Sequence, residues 1–209
     1  MARKTRAEAL VTRDRIIDTA EKVFEKKGVS RTTLEDIASA AGVTRGAIYG
    51  HFRNKEALFL AMFERVHLPM DSRYALGADD HTDPLGRLRA LLVDMLKAVS
   101  SNRRDQRVLN IVHHKCEFTD DMHDVVAGYR TMNRKEARRI RMMISNAIEQ
   151  GQLPSTLDVP MAETLFHAVL IGLIGNWTLA PRAFNLHEGA ESLAGAYIDM
   201  LKLSPTLRS

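Results

Sequence analysis

Apolar residues recur at intervals of three and four along most of the 209-residue chain, which is the period of an amphipathic α-helix. In the first such segment, from about Glu8 to Lys27, one predicted face carries Ile16, Ala20 and Phe24. Aromatic residues make up only 6% of the chain, whereas β-strands favour aromatic and β-branched side chains. The sequence therefore predicts an all-α fold of about nine helices and no strand.

Capping residues and helix breakers indicate where the predicted helices begin and end. Thr32 and Glu35 have the spacing of a capping box, and Thr33 is an equally good N-cap for the second helix. The stretch from Pro69 to Thr82 is irregular, so we predict a helix end followed by a loop there. The nine predicted helices occupy about residues 8–27, 34–41, 45–51, 55 onward, 84–99, 105–116, 120–150, 159–179 and 187–203.

The excess positive charge lies in the first third of the chain. Residues 1–60 hold 12 Lys and Arg against 8 Asp and Glu, and residues 61–209 hold 18 of each. A local basic excess is typical of a nucleic-acid-binding module. We therefore predict a DNA-binding domain at residues 1–56 and a second domain at residues 57–209.

The residue types also indicate the compartment. Cys116 is the only cysteine, so no disulfide can form within the chain, as suits a reducing cytosol. Residues 1–10 lack the apolar segment of a signal peptide. The longest apolar stretch, residues 165–175, is too short to span a bilayer. We expect a cytoplasmic protein that does not bind membranes.

The spacing of Ala38, Gly42 and Ile48 is typical of a helix-turn-helix. Ala38 allows two helices to cross closely, Gly42 can adopt the positive φ of a sharp turn, and Ile48 fills the angle between the helices. We place the motif at about residues 33–52, with its second helix in the major groove of double-stranded DNA. A three-helix subdomain with an ordinary tight turn would have similar spacing, but the basic charge and the capping threonines favour DNA binding.

The second helix of this motif presents side chains that suit DNA. Arg45 and Tyr49 share a face at i, i+4; arginine can donate two hydrogen bonds to guanine, and tyrosine can contact a phosphate or a thymine methyl. Gly46 permits close approach of the backbone. Phosphate contacts are predicted at helix N-termini and in the basic tail, namely at Thr33, Thr44, Lys55, Arg3 and Lys4.

The segment RTTLEDIASAAGVTRGAIYGHF, from Arg31 to Phe52, resembles the TetR family of bacterial repressors, and most closely the AcrR-like branch that controls multidrug efflux pumps. The segments HHKCEFTDDM (residues 113–122), GQLP (residues 151–154) and the ending LSPTLR resemble the same branch. The resemblance adds His51 to the implied DNA contacts. Gly50 departs from the branch, which often has Trp at this position, and this departure bears on operator identity.

The resemblance implies a two-domain homodimer that represses transcription from an inverted-repeat operator. It also implies that a small hydrophobic effector, such as an antimicrobial, binds the C-terminal domain and releases the protein from DNA. Such pockets are mostly apolar with a few polar groups. The implied pocket residues, with Asn110 added because it lies one turn from His113, are Val66, His67, Leu91, Leu92, Met95, Leu109, Asn110, His113, Asn133, Glu136, Ile140, His167, Leu170 and Ile171.

Two further expectations concern assembly. The fourth helix is shared by both predicted domains, so we expect it to couple effector binding to release of DNA. The last two helices are apolar and contain Gly172, Gly175 and Gly195, which permit close helix crossing. We therefore assign these two helices to the dimer interface.

Other functions fit parts of the sequence less well. Cys116 beside His113 and His114 suggests a thiol enzyme, but no oxyanion-hole loop accompanies them. A zinc or redox sensor would use the polar cluster His113, Cys116, Glu117, Asp120 and His123. A solvated polar face is the more common reason for such a cluster, so we expect no catalysis, no metal and no cofactor. A ligand-responsive regulator of a metabolic operon stays open as an alternative.

Overall fold

The computed structural model describes residues 6–78, 82–117 and 122–208. Within these residues the prediction of an all-α fold with about nine helices is confirmed, and the helix ends differ from those predicted by at most three residues outside the fourth helix. The helices are α1 (Arg6–Lys27), α2 (Leu34–Ala41), α3 (Arg45–Tyr49), α4 (Lys55–Ala78), α5 (Pro84–Ser101), α6 (Arg103–His114), α7 (His123–Glu149), α8 (Val159–Leu179) and α9 (Leu186–Leu203), followed by a 3-10 turn at Pro205–Leu207.

The chain forms two compact units that do not follow one cut along the sequence. The first unit contains the residues up to His67 together with Arg107–Tyr129, and the second contains Leu68–Gln106 and Arg130–Ser209. Helices α4, α6 and α7 each contribute residues to both units. The predicted boundary between residues 56 and 57 separates a DNA-binding domain from an effector-binding domain, and it stays a prediction.

The core of the first unit forms around α2. Helix α2 packs against α1 and against α3, and Ile37 and Ile48 are fully buried. Phe24 of α1 meets Phe59 of α4 edge to face, with ring centres 6.2 Å apart. Arg65 of α4 also donates hydrogen bonds to two carboxylates of α1, those of Asp14 and Asp18. These contacts fix α2 and α3 within the first unit.

The second unit is built on α5, α8 and α9, which pack against one another. The Tyr197 hydroxyl of α9 donates a hydrogen bond to the Ala162 carbonyl of α8 at 2.9 Å, and the Phe166 and Tyr197 rings meet edge to face. The apolar helix α8 has the predicted bounds, residues 159–179, and extends beyond the apolar stretch at residues 165–175. By length and composition alone it is sufficient to span a bilayer.

Helix α4 continues through Pro69 to Ala78, so the predicted loop from residue 69 is wrong as far as Ala78. An interior proline removes one helical hydrogen bond and crowds the preceding turn. Contacts around Pro69 hold the helix together. Ser72 Oγ donates to the Leu68 carbonyl at 3.1 Å, and Arg139 of α7 donates to both the carboxylate and the carbonyl of Asp71.

Replacing Pro69 with Ala should therefore stabilise the protein. Alanine restores the missing helical hydrogen bond, which stabilises the folded protein. Alanine also gives the unfolded chain more conformational freedom than proline does, which offsets part of this stabilisation. We expect a net increase of about 1–3 kcal/mol in the free energy of unfolding. Urea denaturation followed by circular dichroism measures it. Pro160→Ala is the matched control, because this exposed proline lies in the first turn of α8, where no helical hydrogen bond is lost. An equal gain in both variants would contradict the strain at Pro69.

Candidate DNA-binding and effector sites

The helix-turn-helix depends on a left-handed residue between α2 and α3. Gly42 ends α2 with φ 63° and ψ 37°, a conformation that glycine adopts without steric penalty. The next amide, that of Val43, donates to the Ala38 carbonyl at 3.0 Å. Thr44 then caps α3, and its hydroxyl accepts a hydrogen bond from the Ala47 amide at 3.2 Å. The turn therefore has the chemistry that the Ala38, Gly42 and Ile48 spacing predicts.

Helix α2 begins with a capping box, but not with the predicted pair Thr32 and Glu35. The Thr33 hydroxyl accepts from the Asp36 amide at 3.1 Å, and the Asp36 carboxylate accepts from the Thr33 amide at 3.0 Å. Thr32 is buried and donates to the Gly28 carbonyl instead. Hydrogen bonds from Lys27 of α1 and from Thr33 lower the pKa of Asp36 to about 2. The Glu35 side chain is therefore outside the cap.

Helix α3 has one buried side and one exposed side. Ile48 is fully buried, whereas Arg45, Gly46 and Tyr49 are exposed together with the caps Thr33 and Thr44. His51 and Lys55 are half-buried, and Lys55 Nζ donates to the Ser30 carbonyl. The predicted DNA contacts Arg3 and Lys4 lie outside the described residues.

Gly50 ends α3 in a right-handed conformation, with φ −69° and ψ −19°. A side chain at this position would need no unusual backbone geometry. An added Cβ would lie 3.4 Å from the carbonyl oxygens of Gly46 and Ala47, which is ordinary contact distance. The backbone therefore does not require the glycine that distinguishes this chain from the AcrR-like branch.

The structure divides the predicted pocket residues between the two units. The first unit holds Val66, His67, Leu109, Asn110 and His113; the second holds Leu91, Leu92, Met95, Asn133, Glu136, Ile140, His167, Leu170 and Ile171. Most of these side chains are buried or half-buried, whereas Ile171 is exposed. Their role in binding an effector stays a prediction.

A polar cluster around two buried carboxylates, those of Glu136 and Glu163, joins α7 to α8 in the second unit. Glu163 accepts two hydrogen bonds from Arg141, at 3.0 and 2.8 Å, and its other oxygen lies 2.9 Å from His167 Nδ1. The opposite ring nitrogen of His167 lies 4.0 Å from the Glu136 carboxylate. Burial and the neighbouring charge of Asp71 raise the pKa of Glu136 to about 7. The predicted pocket residues Glu136 and His167 are thus brought together.

The second unit also contains an open cavity of about 520 Å³ between α4 and α5. Of its lining residues, sequence reasoning found only Leu91. Arg87, Leu91 and Asp94 have the spacing of one helix face, which is a signal for a common lining surface. The α4 side, formed by Pro69, Ser72 and Arg73, was missed because the predicted helix ended before it.

Cys116 is half-buried, and its burial raises the pKa of the thiol to about 11. A protonated thiol at neutral pH is a poor nucleophile and a poor metal ligand. Among the described residues no group of three His, Cys, Asp or Glu side chains could hold a metal ion. Glu117 accepts a hydrogen bond from Ser30, and Asp120 of the predicted zinc cluster lies outside the described residues.

Family comparisons match both parts of the chain. The family of bacterial regulatory proteins of the TetR type matches residues 16–62, which include the helix-turn-helix. The C-terminal region of MAATS-type transcriptional repressors matches residues 83–203. The chain belongs to the TetR family. This TetR-family chain is therefore a DNA-binding transcription regulator, as its sequence predicts.

Individual relatives cover almost the whole length of this TetR-family chain. It is 43% identical over all 209 residues to a probable regulator, ArpR, of Pseudomonas putida. Among solved structures, the chain is similar to NalD, the secondary repressor of the MexAB-OprM multidrug efflux pump of Pseudomonas aeruginosa. The two sequences are 30% identical, the match covers 95% of this chain and all of NalD, and the TM-score is 0.86. The complex of SmeT with triclosan is 28% identical, covers 93% of each chain and has a TM-score of 0.80. SmeT is the repressor of the Stenotrophomonas maltophilia efflux pump SmeDEF.

The raised pKa of Glu136 predicts how stability depends on pH. The folded protein keeps a proton on Glu136 up to about pH 7, whereas the unfolded chain releases it near pH 4.5. The stabilisation from this proton is complete below pH 4.5 and is lost as the pH rises to 7. Glu136→Gln stays neutral, so we expect its melting temperature to exceed that of the wild type at about pH 8 and to match it at about pH 4.

The control for this measurement is Glu149→Gln, which removes a carboxylate from an exposed position on the same helix. Its melting temperature should follow that of the wild type at both pH values. A difference between Glu136→Gln and the wild type that is independent of pH would contradict the buried, protonated Glu136.

Proposed function

We propose that this protein is a homodimeric repressor of a multidrug efflux operon. It binds an inverted-repeat operator in double-stranded DNA and leaves the operator when a small hydrophobic effector binds its C-terminal domain. The observation that carries the proposal is the exposed side of α3, where Arg45 and Tyr49 flank the buried Ile48 behind a left-handed turn at Gly42. An exposed arginine and tyrosine on the second helix of a helix-turn-helix can contact base edges in the major groove of DNA.

DNA contacts of two kinds follow from this placement. Arg45 and Tyr49 are the candidates for reading bases, because they are the exposed long side chains of α3. Thr33, Thr44 and Lys55 lie at or next to helix N-termini, where amide and side-chain donors suit phosphate oxygens. Gly46 leaves open space at the start of α3, since an added Cβ would meet nothing within 4 Å.

The outer surfaces of α8 and α9 support a homodimer. Met161, Ile171 and Leu179 of α8 are exposed in the single chain, as are Met200 and Leu203 of α9. An added Cβ at Gly172 or Gly195 would meet nothing within 4 Å, so these glycines face open space that a second helix pair can occupy. A four-helix interface would cover these apolar residues, and it would cover α8 with protein rather than with lipid. We accordingly place the dimer in the cytoplasm.

Effector binding is proposed for the second unit. Its cavity of about 520 Å³ is within the size range of small-molecule sites. Glu136 and His167 are not among the residues that line this cavity, and they form a second set of polar groups in the same unit. The relatives NalD and SmeT repress multidrug efflux pumps, and SmeT binds triclosan. These likenesses favour hydrophobic antimicrobials as effectors and an efflux operon as the target. We propose no catalytic step and no cofactor.

Arg45 provides the test of base recognition. If Arg45 donates two hydrogen bonds to a guanine, Arg45→Ala should weaken operator binding by about 1–3 kcal/mol and relax the preference at one base pair of each half-site. The control is Lys55→Ala, which should weaken all duplexes equally and reduce the salt dependence by about one counterion. Fluorescence anisotropy with operator duplexes altered one base pair at a time measures both. Equal behaviour of the two variants would contradict a base-reading role for Arg45.

Release from DNA tests the regulatory part of the proposal. We expect the protein to bind the region upstream of its own coding sequence or a neighbouring efflux operon and to dissociate when hydrophobic antimicrobials such as triclosan are added. Binding is measured by anisotropy, and effector binding by calorimetry on the DNA-free protein. Release by a metabolic intermediate, with no response to any antimicrobial, would contradict efflux control and indicate regulation of a metabolic operon instead.

A further inference from the structure

Glu35 of α2 contacts both long side chains that α3 exposes. Its Oε1 lies 3.2 Å from Arg45 Nε and accepts a hydrogen bond from the Tyr49 hydroxyl at 3.3 Å. The Arg45 guanidinium lies over the Tyr49 ring, 5.6 Å from the ring centre. One carboxylate oxygen therefore joins the two candidate base-reading residues.

The position of Glu35 is fixed by its neighbour. Asp36 is held by Thr33 in the capping box and by Lys27 of α1, whose Nζ lies 2.8 Å from its carboxylate. Glu35 takes no part in these contacts and comes one residue earlier in the same first turn. The capping box therefore defines the backbone conformation at Glu35, from which its carboxylate reaches α3.

The contact leaves the DNA-binding groups of Arg45 available. Glu35 pairs with Nε, so both terminal NH2 groups of the guanidinium can donate to the O6 and N7 atoms of a guanine. The side chains of Arg45 and Glu35 are 74% and 47% exposed, and pairs this exposed contribute little to fold stability. Orienting a long, flexible arginine before it meets DNA reduces the conformational entropy that binding would otherwise cost.

We propose that Glu35 is a positioning residue that raises the specificity of DNA recognition. It orients Arg45 and Tyr49 for the operator, and its negative charge beside the DNA surface weakens binding to unrelated sequences. The orientation of Arg45 and Tyr49 favours the operator alone, whereas the repulsion acts on every duplex, so together they raise the ratio of operator affinity to non-operator affinity. The inference rests on the proposed DNA contacts of Arg45 and Tyr49.

The test compares Glu35→Ala and Glu35→Gln with the wild type on an operator duplex and on a scrambled duplex of equal length. Glu35→Ala should weaken operator binding about twofold to fivefold, the range expected for an exposed ion pair. It should also strengthen scrambled binding about twofold, because a charge that repels phosphates is lost. Glu35→Gln keeps a hydrogen-bond acceptor but loses the charge, so it should lose no operator affinity and should bind both duplexes up to about twofold more tightly.

A matched control and a second background isolate the contacts of Glu35 with Arg45 and Tyr49. Glu25→Ala removes another exposed glutamate of the first unit, which pairs with Arg107 Nε at 3.0 Å on α6, and it should leave the operator-to-scrambled ratio unchanged. In an Arg45→Ala, Tyr49→Phe background, where neither contact can form, Glu35→Ala should cause no further loss of operator affinity. Circular dichroism and melting temperature confirm that each variant folds.

Two outcomes overturn the proposal while leaving DNA binding intact. One is a ratio of operator affinity to scrambled affinity for Glu35→Ala that lies within twofold of the wild-type ratio or equals the ratio for Glu25→Ala. The other is a loss of operator affinity on Glu35→Ala that persists in the Arg45→Ala, Tyr49→Phe background, which would mean that Glu35 contacts DNA itself. A wild-type protein that does not distinguish operator from scrambled DNA would instead overturn the proposed function together with this inference.

Discussion

The left-handed turn at Gly42 is the constraint on which the DNA-binding surface depends. It ends α2, reverses the chain within two residues and allows Thr44 to begin α3. Only then can Ile48 reach the core while Arg45 and Tyr49 remain exposed. Glycine is needed at this position for its backbone conformation and not for space. An added Cβ would meet no atom within 4 Å, but a residue with a side chain would have to adopt the left-handed φ of 63°.

The sequence predicts this turn well because each of its determinants is local. The capping threonine, the glycine and the buried isoleucine act within a few residues of one another. The choice between Thr32 and Thr33 as cap was not local. Lys27 of α1 pairs with Asp36 and favours the box that starts at Thr33, and burial of Thr32 removes its hydroxyl from competition. Glu35 is left outside the cap as a result, and it contacts α3 instead.

The second unit was less predictable because its features depend on pairs of helices. The four-residue spacing of Glu163 and His167 is visible in the sequence, but their contacts with Arg141 and Glu136 of α7 require the packed helices. The cavity between α4 and α5 was missed for a related reason. Proline alone predicts the end of a helix, so the sequence gives no sign that α4 continues past Pro69. The contacts of Ser72 and Asp71 that accompany the continued helix depend on residues beyond the proline and on α7.

Glu35 of the first unit and Glu136 of the second lie in opposite environments. In the first unit, Glu35 is exposed and paired, so its presence has little effect on folding. In the second, Glu136 is buried with a pKa near 7, which makes the charged form unfavourable in the folded protein. An apolar residue of similar volume would suit that position better if packing alone mattered. Under the proposed function, we expect Glu136 to offer a bound effector a hydrogen bond or a negative charge, although its burial lowers stability at neutral pH.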